Sequence, residues 1–347
     1  GSGHASVTIE RMVVKVGGIV ELTIPLEEAV EEVVVYGSAD QLMATTTGET
    51  SLHITLDEVA MLPVSRSIES VALLAPGTVP GIDEFGDDKT LVSFGGASVA
   101  ENVYYIDGLN VSNFRTGLGG SSVPFEFYDQ FQIKTGGFSA EFGRSTGGVL
   151  NAVTRRGSND FEYGVVAYVE PEWGRGNSPN SLRTDGSVYD FNRENKESST
   201  TTDIYVSGPI IKDRLFFFML FEPQETSSEY NLRGSSNVRF EEEIDDDFWG
   251  GNLTWNITDN HSLSYTTFSD ERDIRADVYD YDVDARQKGA LVGDSTKLRG
   301  GETHIVSYEG QISNNFVISA RFGSNEYNLT DRSSNDIRCP AVVDFRD

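Results

Sequence analysis

Alternation of apolar and polar side chains dominates the second half of the chain. In 249–257 the residues Trp249, Leu253, Trp255 and Ile257 share one face of a two-residue period. Similar β signals occur at 161–170, 201–208, 215–222, 248–257, 262–268, 304–312 and 316–327. The pattern predicts about seven antiparallel strands after Gly157.

The part of the chain before Gly157 mixes helical and strand signals. Thr55 to Glu58 form a capping box before a short helix that Pro63 ends, and a second helix is predicted over 66–74. Asp107-Gly108 between two apolar segments is a strong hairpin signal. Further strands are predicted at 91–94, 102–106, 109–111, 130–135 and 148–154. These elements indicate a small mixed α/β domain.

The glycine-rich stretch 141–154 has two interpretations, a phosphate-binding loop or a tight entry into a strand. A P-loop needs a lysine followed by Ser or Thr after its last glycine, and Gly147 is followed by Gly148. The dinucleotide-binding pattern fails at Gly143, and both motifs require a helix next. The residues that follow, 149–154, are rich in β-formers. The sequence therefore favours a strand.

The predicted strands are joined by links of two lengths. Short turns follow Gly208, Ile257 and Ile312, whereas the links 171–200, 223–247 and 269–303 are long and polar. Short turns at one end and long loops at the other are typical of an outer-membrane β-barrel. A β-sandwich, whose strands also alternate, is the alternative. Such long links are difficult to fit into a compact sandwich, so the barrel is favoured.

Composition and charge narrow the possible functions. Lys and Arg number 27 against 55 Asp and Glu, a net charge of −28, which excludes nucleic acid as a partner because phosphates would be repelled. The longest apolar run, 215–221, is too short for a membrane helix. The four histidines are scattered and form no zinc-protease motif, so no enzyme and no cofactor are predicted. Cys339 is either an inert thiol or half of a disulfide with a partner beyond Asp347.

Two runs, 93–117 (SFGGASVAENVYYIDGLNVSNFRTG) and 121–159 (SSVPFEFYDQFQIKTGGFSAEFGRSTGGVLNAVTRRGSN), resemble the plug domain of TonB-dependent outer-membrane receptors. The run 207–222 is similar to an early barrel hairpin of the Oar-like branch, which carries a carboxypeptidase-regulatory-like domain before the plug. The resemblance implies a mainly β fold with a small α/β part, in the bacterial outer membrane. Such barrels have about 22 strands, so we expect a fragment truncated at both ends.

The resemblance also implies a domain order and a direction for each strand face. We expect the end of the regulatory-like domain at 1–27, a linker at 28–44, the plug at 45–157 and the incomplete barrel at 158–347. The residues expected to face lipid are Trp249, Leu253, Trp255, Ile257, Leu263, Tyr265, Val306, Tyr308, Phe316, Ile318 and Phe322. Those expected to face the plug or lumen are Asn252, Thr254, Asn256, Ser264, Glu309 and Arg321.

The segment before the plug resembles the TonB box of the family and consists of Glu32, Val33, Val34, Val35 and Tyr36. An extended segment of this kind pairs its backbone with a sheet edge of the partner. The resemblance thus implies binding to TonB, with its ExbB–ExbD motor. The alternative is that Val33–Tyr36 form the last strand of the preceding domain.

The resemblance places ligand contacts in the apical loops of the plug. The candidates are Asp83, Glu84, Ser98, Glu101, Asn113, Phe114 and Arg115, and an ordinary turn is the alternative for Phe114-Arg115. Glu141 and Arg144 are candidates for ion pairs between plug and barrel, or simply for solvated groups. Acids in two predicted loops, 241–247 and Asp277, Asp280, Asp282 and Asp284, are candidates for calcium, although no EF-hand spacing is present.

Three functions remain open from the sequence. The first is a TonB-energised transporter of a ligand too large or too scarce for porins, with a peptide or protein-derived ligand favoured. The second is an adhesion or surface-assembly protein on the same scaffold, and the third is a soluble secreted carbohydrate-active β-protein. The first two would contact outer-membrane lipid and lipopolysaccharide.

Overall fold

The computed structural model describes residues 49–81, 91–139, 141–176, 178–186, 188–232, 237–282, 285–313 and 315–334. The described residues form two compact units. The first contains 49–106, 114–119 and 128–153, and the second contains 107–113, 120–127 and 154–334. The strands predicted within 1–27, and the whole of 28–44, lie outside the described residues.

Short helices and short strands alternate up to residue 154. They are β1 (Thr50–Thr55), α1 (Leu56–Ala60), α2 (Ile68–Ala72), β2 (Thr78–Pro80), β3 (Val92–Phe94), β4 (Val103–Ile106), β5 (Leu109–Asn110), β6 (Tyr128–Gly136) and β7 (Val149–Thr154). The capping box is confirmed, because the Thr55 amide donates to Glu58 Oε2 at 2.8 Å and the Glu58 amide donates to Thr55 Oγ1 at 3.3 Å. No helix within the described ranges has the length and hydrophobicity that a membrane-crossing helix requires.

The core of the first unit lies on a mixed sheet. β1, β6, β7 and β4 lie side by side in that order, with β1 antiparallel to β6 and β4 parallel to β7. Val71, Phe131, Ile133 and Leu150 are fully buried in this unit. Asp107 and Gly108 form the turn between β4 and β5 with φ of 46° and 73°, as the hairpin signal predicts.

Strands form almost all of the regular structure after residue 160. They are β8 (Glu162–Glu170), β9 (Ser181–Leu182), β10 (Val188–Asp190), β11 (Lys196–Ile211), β12 (Leu215–Leu232), β13 (Val238–Thr258), β14 (His261–Ser269), β15 (Arg272–Asp282), β16 (Gln287–Gly300), β17 (Glu302–Ser313), β18 (Phe316–Asn325) and β19 (Asn328–Ser334). Single turns of 3-10 helix occur at Glu172–Gly174 and Asn192–Glu194.

The seven predicted strands lie side by side in one antiparallel sheet. Their order is β8, β11, β12, β13, β14, β17 and β18, which is their order along the chain, with β9 and β10 intervening after β8 and β15 and β16 intervening after β14. β15, β16 and β19 complete a sheet of ten strands. The predicted fold class, mainly β with a small α/β part, is confirmed. A two-sheet sandwich is not the arrangement of the described strands.

The long polar links are where the sequence prediction was wrong. Residues 223–232 continue β12, residues 238–247 begin β13, and most of 269–303 forms β15 and β16. Charged residues dominate these segments, and the sequence prediction missed the short alternations of Val238, Phe240 and Ile244 in one and of Ile274, Ala276 and Val278 in another, which pair across β13 and β15. Cross-strand ion pairs also support them, for example Lys297 with Glu242 at 3.6 Å. The two acid clusters therefore lie in strands rather than in loops.

The predicted faces of β13 are confirmed. Trp249 and Trp255 are 43% and 45% exposed, whereas Asn252 and Thr254 are buried on the opposite face. Of the other residues predicted to face outward, Leu253, Tyr265, Val306, Phe316, Ile318 and Phe322 are exposed, and Ile257, Leu263 and Tyr308 are half-buried. Of the residues predicted to face inward, Asn256 and Ser264 are half-buried, and Glu309 and Arg321 are exposed.

Candidate functional site

The glycine-rich stretch enters β7 directly, which confirms the strand interpretation. Buried Asn102 donates from Nδ2 to the Val92 carbonyl at 2.6 Å and accepts from the Gly148 amide at 3.0 Å. A Cβ at Gly147 would lie 2.5 Å from the Asn102 side-chain oxygen, and one at Gly148 would clash with the Phe94 ring. These two glycines therefore permit the close backbone approach that joins β3, β4 and β7.

Two of the predicted apical residues, Ser98 and Glu101, lie at a single 3-10 turn, Val99–Glu101. The Ser98 hydroxyl caps this turn by accepting from the Ala100 amide at 3.4 Å. The Glu101 carbonyl accepts from the Ser145 hydroxyl at 3.1 Å and from the Gly147 amide at 3.1 Å. The exposed Glu101 carboxylate is thus held at the surface by a backbone that is fixed to the entry of β7.

Phe114 and Arg144, which the sequence assigned to different roles, lie together in the first unit. The Arg144 guanidinium lies 5.7 Å from the centroid of the Phe114 ring, and 62% of Phe114 is exposed. Arg144 has a φ of 65°. Glu141 accepts from the Ser139 hydroxyl at 2.8 Å, and its contact with the barrel remains a prediction. Of the other candidates, Arg115 is exposed and Asn113 is buried, and Asp83 and Glu84 lie outside the described residues.

Asp107 is the acceptor for a chain of hydrogen bonds in the second unit. Its carboxylate accepts from the Thr154 amide at 3.0 Å, from the Thr154 hydroxyl at 2.7 Å and from the Thr266 hydroxyl at 2.8 Å. Thr266 in turn accepts from Asn252 Nδ2 at 2.7 Å, and Asn252 Oδ1 accepts from the Thr254 hydroxyl at 2.7 Å. The chain fixes the β4–β5 turn to β13 and β14 through buried polar groups.

Phe127 is the centre of an aromatic cluster in the same unit. Its ring centroid lies 5.3 Å from that of Phe248, 5.9 Å from Phe218 and 6.0 Å from Phe268. Phe127 is fully buried, and its carbonyl accepts from the Arg155 amide at 2.9 Å. A Cβ at Gly250 would lie 2.7 Å from the Phe127 ring. The cluster attaches the segment 120–127 to the inward face of β12, β13 and β14.

Three inward-facing carboxylates, Glu126, Asp203 and Glu222, lie close together near this cluster. Ligand atoms of the three lie within 4.8 Å of one another, and Glu126 accepts from the Tyr168 hydroxyl at 3.1 Å. Hard cations favour such oxygen ligands, so among the described residues this grouping could hold one. The two acid clusters predicted from sequence lie elsewhere, 241–247 in β13 and the described members of the second cluster in β15. There Asp277 accepts from the Tyr279 hydroxyl at 3.4 Å, and Asp282 accepts from the Ala285 amide at 2.8 Å. Asp280 is also in β15, and Asp284 lies outside the described residues.

Comparison with known proteins identifies one segment of the chain. Residues 43–149 match the family model of the TonB-dependent receptor plug domain. This segment is a TonB-dependent receptor plug domain. The chain is also 39% identical over 166 residues to the TonB-dependent transporter Oar of Myxococcus xanthus. The aligned region is 48% of this chain and 15% of that protein. The chain therefore has a plug-domain segment and a partial likeness to the Oar transporter.

Solved receptors show the same fold. A mutant of the ferric enterobactin receptor of Pseudomonas aeruginosa, in complex with enterobactin, has a TM-score of 0.52 and 16% identity, covering 83% of this chain and 42% of that one. A second mutant of that receptor has a TM-score of 0.51 and 14% identity, and the match covers 81% of this chain and 44% of that one. The chain thus spans about 15% of the Oar transporter and under half of each solved receptor.

The family model ends at residue 149, and the likeness to the solved receptors shows that the strands after it have the fold of receptor barrel strands. Proteins of this type are outer-membrane β-barrels, and the matched relatives are transporters and receptors rather than enzymes. A membrane-spanning strand needs about 9–11 residues, whereas β12 has 18 and β13 has 21. The polar halves of these receptor strands therefore extend beyond the lipid.

No sequence signal groups Glu126, Asp203 and Glu222 or marks Phe127 as a core residue, because their partners lie far along the chain. Asp107 was predicted only as a turn residue. Its side-chain role had one signal, since an aspartate with positive φ beside a strand end presents its carboxylate to nearby backbone amides.

Replacing Asp107 by asparagine tests the hydrogen-bond chain. Asparagine tolerates the left-handed backbone at this position, so the change removes the charge from an acceptor of three hydrogen bonds. We expect Asp107→Asn to lower the free energy of unfolding of the full-length receptor by about 1–3 kcal/mol. The measurement is equilibrium urea unfolding in detergent micelles.

Asp213 provides a matched control for this substitution. It also has a positive φ, 64°, but it is exposed, and its side chain accepts a hydrogen bond from Asn159 Nδ2 at 2.7 Å. Asp213→Asn should change the unfolding free energy by less than about 0.5 kcal/mol. Equal effects of the two substitutions would show that the Asp107 chain does not stabilise the receptor.

Proposed function

We propose that the chain is part of a TonB-dependent active transporter of the bacterial outer membrane. The observation that carries the proposal is the plug domain at 43–149 followed by antiparallel strands with an exposed apolar face. A plug inside a barrel blocks free diffusion, so passage of a ligand requires energy from outside the outer membrane. TonB, driven by its ExbB–ExbD motor, is the proposed source.

The proposed coupling element is Glu32–Tyr36, which lies outside the described residues. Three consecutive valines keep its backbone extended, and backbone pairing with a sheet edge of TonB would provide the attachment. Because the segment directly precedes the plug sequence, a pull on it would act on the plug. Outer-membrane lipid and lipopolysaccharide are the proposed surroundings of the apolar outer face.

The proposed ligand is a peptide or a protein-derived fragment, contacted first by the apical residues of the plug. Exposed Phe114 offers a ring face, and the Arg144 guanidinium beside it offers hydrogen-bond donors for a carboxylate or carbonyl. Arg115, also exposed, directly follows Phe114 in sequence and adds a second guanidinium. A peptide supplies both apolar side chains and carbonyl groups for such a surface.

Dependence on TonB tests the function. Cells that carry the full-length receptor should accumulate labelled peptide ligand only when TonB is present, and binding at the surface should be the same with and without TonB. Deleting Glu32–Tyr36 should lower accumulation to the level seen without TonB. Adhesion or surface assembly that proceeds normally without TonB, together with no accumulation, would favour the adhesion function instead.

A further inference from the structure

A charged cavity of about 410 Å³ lies in the second unit, among β11, β12, β13, β15 and β16. Four cations line it: Lys196, Arg239, Arg286 and Lys288. Three carboxylates complete the charged lining, so cations are in the majority there. In a chain with 27 Lys and Arg against 55 Asp and Glu, such a cavity is a place where an anion is attracted rather than repelled.

The inner wall of the cavity is a network of ion pairs. Buried Arg239 donates to Glu229, and its Nε lies 3.9 Å from Glu241. Lys288 donates to Glu241 at 2.6 Å, and this hydrogen bond raises the pKa of the lysine. Glu229 and Glu241 are directly paired across β12 and β13. Two like charges in such a pair repel, and the cations around them compensate.

The opposite wall combines the phenol of Tyr281 with the guanidinium of Arg286. Tyr281 donates to Glu194, and burial together with that bond raises the pKa of Tyr281 to about 12, so the phenol remains protonated at physiological pH. Arg286 is 59% exposed, and its Nε lies 3.8 Å from the Glu194 carboxylate, beyond hydrogen-bond distance. Its guanidinium lies 5.8 Å from the centroid of Phe191. An incoming anionic group can therefore reach the Arg286 donors from solvent.

Strand register places the cavity away from the inward face of the barrel strands. The pairing of β12 with β13 is continuous from Leu215 to Leu232, so Arg239 and Glu241 share a face with Trp249 and Leu253. Arg239 lies ten residues before Trp249, which is about 33 Å along a strand. The cavity thus lies on the outward side of the receptor, above the apolar band, where the polysaccharide layer of an outer membrane would surround it.

We propose that this cavity binds an acidic saccharide, a sugar unit that carries a carboxylate or a phosphate. Arg286 and Lys288 would pair with the acidic group, as charge-assisted hydrogen bonds to guanidinium and ammonium favour. Glu194 and Glu229 would accept hydrogen bonds from sugar hydroxyls. The volume falls within the range of about 300–1,000 Å³ that is usual for small-molecule sites. This site is separate from ligand import and does not depend on TonB.

The lining favours a saccharide over a peptide. Peptide anchors are mostly apolar or aromatic side chains in desolvated pockets, and the cavity lining contains no aliphatic side chain among the described residues. Carboxylates, cations and one phenol match the many hydroxyls of a sugar instead. Two sources share this chemistry: the lipopolysaccharide of the same membrane and a soluble polysaccharide.

Titration calorimetry on the full-length receptor in detergent, freed of lipopolysaccharide, tests the proposal. The probe is a trisaccharide of galacturonic acid at low salt, and the neutral trisaccharide of galactose is the comparison. We expect saturable binding of the acidic sugar alone. Arg286→Gln should weaken it about tenfold. Arg275→Gln is the matched control, because Arg275 is similarly exposed and paired but does not line the cavity, and it should leave binding unchanged.

Each outcome either supports or overturns the site. Equal binding of both sugars, no binding, or equal loss in the two arginine variants would overturn it. A lower melting temperature for Arg286→Gln without saccharide binding by the wild type would show that the network is purely structural. Competition by acidic lipopolysaccharide micelles against the soluble sugar would identify the membrane as the source, and binding without such competition would identify a soluble polysaccharide.

Discussion

Phe127→Ala should lower the free energy of unfolding of the receptor by about 3–5 kcal/mol. Phe127 is fully buried, and its ring contacts those of Phe218, Phe248 and Phe268, which come from three neighbouring strands. Removing the ring takes apolar area out of the core and leaves a cavity that three fixed rings cannot fill. The close approach of Gly250 adds to this constraint, because the backbone of β13 is already at contact distance.

The measurement is equilibrium urea unfolding of the full-length receptor in micelles, combined with hydrogen exchange. The Arg155 amide is the most direct local probe, because it donates to the Phe127 carbonyl at 2.9 Å. Its protection should fall sharply in Phe127→Ala. Phe127→Leu retains most of the apolar volume, so it should lower the free energy of unfolding by less than the alanine substitution does.

Phe114→Ala is the matched control for this substitution. It removes the same ring from the same plug sequence, but Phe114 is 62% exposed and has only the contact with Arg144 to lose. We expect a change of at most about 1 kcal/mol. If the two alanine variants unfold at the same urea concentration, the Phe127 cluster is not the attachment that the geometry indicates.

Local signals made the first elements predictable from the sequence. The capping box at Thr55 places α1 correctly because its two hydrogen bonds join residues three apart. The turn at Asp107-Gly108 is equally local, because both residues adopt the positive φ that this hairpin requires. Alternation identified the second half of β13 because one of its faces is exposed and apolar, whereas the first half of β12, 215–221, is a continuous apolar run.

Other strands could not be predicted because their signal is tertiary. The first half of β13 is mostly acidic, and its few apolar residues, such as Phe240 and Ile244, find their partners only through pairing with β15. β15 and β16 pair with each other along nearly their whole length, although the sequence reads as a charged loop. Charge alternation in such a segment indicates solvation, not whether a strand forms.

The candidate site was predicted in part. Ser98, Glu101, Phe114 and Arg115 lie at turns or loops, and all four are exposed. The partnership of Phe114 with Arg144 was missed, because 30 residues separate them. Phe127 packs against rings of β12, β13 and β14, and Asp107 bonds Thr154 of β7 and Thr266 of β14, which lie 47 and 159 residues along the chain. The ligand and coupling roles remain predictions.

A single substitution before the plug tests the account most directly. If Glu32–Tyr36 pairs its backbone with TonB, Val34→Pro removes an N–H donor and fixes φ, so energised uptake should be abolished. Val34→Thr retains β-branching and the N–H, and we expect normal uptake. Surface binding and the amount of folded receptor should match the wild type in both variants, because the change lies outside the plug sequence at 43–149.

The measurement is accumulation of labelled peptide ligand by cells that carry each full-length variant. The account predicts no accumulation for Val34→Pro and wild-type accumulation for Val34→Thr, whereas equal accumulation in both would contradict it.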